Sequence, residues 1–71
     1  MNSQLSFADF EASVHRRTAG GTRREVAVDW MRTLKLVRPD VHDHIADRFI
    51  DPRRHAAMLD KARKVAQELW G

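Results

Sequence analysis

Apolar residues recur along this chain at intervals of three and four, and no segment alternates with a period of two. That periodicity predicts helices and no sheet. Phe7, Phe10 and Val14 share one face of a first helix. Ala27, Trp30, Met31, Leu34 and Val37 line a second, and Val41, Ile45 and Phe49 a third. Met58, Leu59, Ala62, Val65, Ala66 and Leu69 give a fourth the widest apolar arc, with Trp70 near its edge.

Punctuation between these stripes fixes the joints. Ser6 is placed to accept from the backbone N–H of Asp9, with Leu5 and Phe10 at the two positions of a hydrophobic staple. Gly20 and Gly21 close the first helix, since glycine takes the left-handed conformation at no steric cost. Thr22 and Glu25 have the spacing of a capping box. Pro39 ends the second helix because the residue before a proline avoids the α region. Asp40 is the expected cap of the third, and Asp51-Pro52 reads as cap and first residue of the fourth. The sequence therefore predicts an all-α fold, a compact bundle of four short helices at about 6–18, 22–37, 40–50 and 52–70. Residues 1–5 read as a flexible N-terminal tail and 6–71 as a single helical domain.

A chain of 71 residues buries a modest fraction of its surface and needs a staple, a partner or close helix packing. It has no cysteine, which excludes disulfides and thiolate metal sites. No apolar run approaches the roughly 20 residues of a membrane span, and residues 1–10 lack the pattern of a secretory signal. The expectation is a cytoplasmic protein with no membrane association.

Net charge is +3, but its distribution says more. Residues 1–21 sum to zero, 22–38 to +3, 39–50 to −2 and 51–71 to +2. The third helix is acidic: at 100° per residue Asp40, Asp43 and Asp47 form a ridge opposite Val41, Ile45 and Phe49. Its neighbours are basic. Arg23 and Arg24 open the second helix, where positive charge opposes the dipole, and Arg32 and Lys35 continue its flank. Arg53 and Arg54 repeat that arrangement on the fourth, where a helix N-terminus can hold a phosphate or carboxylate. Val28 and Leu36 lie outside the core arc and, joined into a patch, would mark a partner or homodimer interface. Trp70, a core residue by default, is a third candidate for that role.

Nothing in the chain reads as catalytic: Gly20-Gly21 lacks the spacing of a phosphate loop, and no nucleophile is paired with a base. No metal or other cofactor is expected, since His42 and His44 point about 200° apart on a helix and no set of four ligands is visible.

Two binding classes remain. Segregated acidic and basic faces suit a protein partner, because complementary charge sets orientation and association rate. The first expectation is a non-enzymatic regulatory module, an adaptor or inhibitor of a larger protein such as the transcription machinery; a compact, arginine-rich, cysteine-free chain of this kind is one that a phage or plasmid could encode. The alternative is a nucleic-acid partner: a small basic DNA-binding protein of helix-turn-helix type, using Arg53, Arg54 and His55 at the start of the fourth helix. In either pairing of the third helix with a neighbour, its aspartates would meet phosphates of like charge.

Overall fold

Ser6 begins the first helix as its spacing predicts. In the computed structural model its hydroxyl accepts from Asp9 N–H at 3.1 Å, and α1 runs Phe7–Arg17. The structure describes residues 5–48 and 55–70, with side chains from Leu59 onward in the second stretch. Its other helices are α2 (Arg23–Val37), α3 (Pro39–Arg48) and α4 (His55–Trp70), and no strand occurs among the described residues. The expectations at Phe49, Asp51, Pro52, Arg53, Arg54, His55 and Met58 concern side chains outside that description.

Two joints are fixed by backbone chemistry. After α1, Thr18 caps Val14 C=O through both its N–H and its hydroxyl, at 3.0 and 2.8 Å. Gly21 N–H then donates to Thr18 C=O at 2.8 Å, closing a tight turn whose third residue, Gly20, has φ +81°. A side chain at that φ is strained, which is why glycine stands there. The capping box follows at once: Glu25 N–H donates to Thr22 Oγ1 at 3.1 Å, and Thr22 N–H to Glu25 Oε1 at 2.7 Å.

The joint between α2 and α3 differs from expectation by one residue. Asp40 does not cap α3, which already begins at Pro39. Proline's fixed φ and missing N–H suit the first helical position. Arg38, held out of the α region at φ −143° and ψ 74°, is the whole joint. Asp40 therefore lies inside the first turn, and its carboxylate turns back to Arg38 at 3.0 and 3.1 Å.

Four helices meet around Phe10, Val14, Trp30, Leu34, Val41, Ile45, Ala62 and Ala66, all buried. α2 lies against each of the other three helices, so its apolar arc is the centre of the bundle. Alanines at 62 and 66 let α4 come close to that arc without displacing the large rings. Val37 and Leu69, expected in the core, are 37% and 41% exposed. Each is near the end of its helix, where fewer neighbours can cover it.

Polar groups also tie the helices together. Glu11 of α1 accepts from Trp30 Nε1–H of α2 at 3.2 Å and from Arg63 Nη2 of α4 at 2.8 Å, with Arg63 Nε closing the fork. That hydrogen bonding holds the Arg63 guanidinium still more firmly in its charged form. Trp70 closes one end of the bundle. Its ring stacks on Phe10 at 5.2 Å and meets Phe7 edge-on at 5.6 Å, and its Nε1–H donates to Leu5 C=O at 2.9 Å.

Candidate binding face

Since α2 buries one arc against three neighbours, its opposite flank is the surface it offers to solvent. Arg24, Val28, Arg32 and Leu36 follow one another there at four-residue intervals, each about 6 Å further along the axis. Lys35 stands beside them, and all five are exposed, Val28 at 40% and Leu36 at 78%. Leu36 is the most exposed large aliphatic side chain of the described residues.

This flank contains two carboxylates, and both are engaged inside the chain. Glu25 closes the capping box on Thr22. Asp29 accepts from Arg17 Nη2 at 2.8 Å and from its Nε at 3.2 and 3.3 Å, while a further Arg17 N–H donates to Thr33 Oγ1 at 2.6 Å. Arg17 thereby takes Asp29 to the α1 side. Among the described residues, no carboxylate lies within 4 Å of a charged nitrogen of Arg24, Arg32 or Lys35. The three cations are left facing solvent, with an aliphatic residue between Arg24 and Arg32 and another after Arg32. A shallow hollow of about 340 Å³ runs along this flank, lined by Thr18, Arg24, Glu25, Val28, Asp29 and Arg32.

The remaining candidates are dispersed. Arg23, next to Arg24 in sequence, points instead toward α4 and approaches Asp60 at 3.9 Å; both side chains are more than two-thirds exposed, so the pair contributes little. Asp40, Asp43 and Asp47 are all exposed on α3. Within that ridge the acids differ. The Arg38 hydrogen bond holds the Asp40 carboxyl at about 2, below its ordinary value of 3.8. Asp43 lies 3.0 Å from His42 Nδ1, and Asp47 has no basic group within 4 Å among the described residues. Trp70 is engaged with Phe7, Phe10, Arg38 and Leu5 of its own chain. Arg53 and Arg54 lie outside the described residues.

No group of three or more metal-ligating side chains gathers among the described residues, and none of their helices is long and apolar enough to cross a membrane. Periodicity alone does not reveal the Glu11–Arg63–Trp30 node, although a signal for it exists. Glu11 lies one turn after Phe7, next to the Phe10 and Val14 stripe, and a charge at the edge of a core face calls for a partner on a neighbouring helix. No known protein family, curated protein or solved structure matches the chain.

Proposed function

We propose that this chain is a non-enzymatic protein-binding module, an adaptor or inhibitor of a larger protein, and that the outward flank of α2 is its contact face. One observation carries the reading. Arg24, Arg32 and Lys35 have no acid of their own nearby among the described residues, and Val28 and Leu36 are exposed in the same strip. Exposed aliphatic residues rimmed by charge are the usual composition of a docking surface. The acidic α3 gives the molecule a second, oppositely charged side. A partner attracted to α2 is repelled from α3, which orients the encounter.

The local geometry supports a protein over a DNA duplex. A helix-turn-helix joins its helices by three or four residues. α2 and α3 are joined by Arg38 alone, and the second of the pair carries three exposed aspartates. Phosphates would be repelled by that helix.

A photo-crosslinking amino acid at position 36, with position 64 on α4 as control, tests the reading in lysate of the native host. The expected result is one discrete adduct from position 36 that resists nuclease and disappears with Arg24→Glu and Arg32→Glu. A nuclease-sensitive adduct, or a duplex-DNA gel shift at physiological salt abolished by Arg53→Ala with Arg54→Ala, would overturn it in favour of DNA binding.

A further inference from the structure

The strip on α2 specifies the chemistry of what covers it. We infer that its occupant is an acidic amphipathic helix of a partner protein, laid along α2 with carboxylates over Arg24 and Arg32 and aliphatic side chains over Val28 and Leu36. The inference rests on the protein-binding reading and narrows it to one class of partner.

Spacing argues for a helix. The two arginines are eight residues apart, about 12 Å along the axis, and so are the two aliphatic residues. The two sets are offset by four residues, about 6 Å. A partner helix repeats the same side of itself every seven or eight residues, so acids and aliphatics alternating every four meet this strip in register. An extended strand repeats a side every two residues, about 6.6 Å, so it runs roughly 2 Å out of step over the strip's three intervals, and the flank of a helix offers no sheet edge to pair its backbone groups. The hollow beside Val28 is bounded by Arg24 and Arg32, with Thr18 at the α1 side and Glu25 and Asp29, held by Thr22 and Arg17, along its wall; one aliphatic side chain of the partner would seat there, leaving the partner's acids to the arginines.

Charge argues against a second copy of this chain. A two-fold pairing of α2 with itself would bring Arg24, Arg32 and Lys35 against the same three cations, with Glu25 and Asp29 held by Thr22 and Arg17 and not free to compensate. The other self-docking, α3 of one copy on α2 of the next, satisfies charge but not shape. The ridge side of α3 shows Asp43, Asp47, Asp40 and His44, with no aliphatic residue to cover Val28 or Leu36. An acidic helix with its own aliphatic stripe satisfies both requirements.

Display selection of 16-residue peptides on an alanine-rich helical scaffold, performed on the full chain at physiological salt, tests this. Enriched peptides should be acidic, with Asp or Glu and Leu or Ile alternating every four residues. Their affinity should fall at least tenfold with Arg32→Glu and with Leu36→Asp, and stay unchanged with Lys64→Glu. Both test positions are exposed, so unchanged far-UV circular dichroism should confirm folding. Basic or uncharged winners, or acidic winners indifferent to Arg32→Glu and Leu36→Asp, would overturn the inference. Such a failure alongside a nuclease-resistant adduct at position 36 would leave the binding module standing with a different class of partner. A duplex-DNA shift would remove both.

Discussion

The Arg38 guanidinium lies 5.1 Å from the centre of the Trp70 ring while holding the Asp40 carboxylate through two of its nitrogens. One side chain thus ties the joint between α2 and α3 to the last turn of α4. The carboxylate fixes the fork, and the fork lies over a ring already packed on Phe7 and Phe10. Replacing Arg38 with Met should lower stability by about 1 kcal/mol, the scale of a partly desolvated cation–π contact. Arg38→Lys should not restore it, because an ammonium cannot present two coplanar donors to Asp40 and a flat face to Trp70 together. Urea denaturation of the three proteins measures the difference.

The same pair predicts a titration. Arg38 holds the Asp40 carboxyl down at about 2 from 3.8. A carboxyl whose value is depressed on folding stabilises the fold above its unfolded value, and that contribution is lost as pH falls through the folded one. The loss therefore falls between about pH 4 and pH 2. Carbon-detected NMR should give an Asp40 midpoint near 2 that rises toward 3.8 in Arg38→Met. An unchanged midpoint would show that Arg38 does not hold the carboxylate in solution.

Glu11 gives a sharper stability test, since it joins three helices. Glu11→Ala leaves Trp30 Nε1–H and the Arg63 fork without their acceptor, at a cost of about 1–3 kcal/mol. Removing both charges with Glu11→Leu and Arg63→Met should cost less than the sum of the single changes. A thermodynamic cycle in urea reads the coupling, and strict additivity would mean that the pair is not formed.

The turn after α1 depends on backbone conformation more than on contacts. Gly20→Ala should destabilise by about 1 kcal/mol, because φ +81° is costly for any residue with a Cβ, even though nothing crowds that position. Thr22→Ala should cost about 1 kcal/mol through loss of the cap. Thermal melts of both variants check these values, and a Gly20→Ala protein as stable as the parent would mean the turn relaxes freely.

Much of this architecture was legible in the sequence, because the signals were local. Ser6, and Thr22 with Glu25, cap as their spacings require. The stripes through Phe10 and Val14, Trp30 and Leu34, and Val41 and Ile45 face inward. Val28 and Leu36 were legible as exposed for the same reason, lying off the apolar arc. What was hidden depends on residues far apart in the chain. Glu11 meets Arg63 across 52 positions, Trp70 reaches Leu5 across 65, and Asp29 is taken by Arg17 and not by the arginines of its own helix. Periodicity does not report which of several nearby arginines claims an acid, so Arg23 and Arg24 looked alike until the fold separated them.

The claim that α2 is the contact face is tested most directly by mapping amide shifts of the 15N-labelled full chain as a display-selected acidic peptide is titrated in. Shifts should gather on Arg24, Val28, Arg32, Lys35 and Leu36 and extend to Thr18, with the α3 amides of Asp43 and Asp47 little changed. Shifts centred on α3 or on the start of α4, with residues 24–36 unmoved, would contradict it.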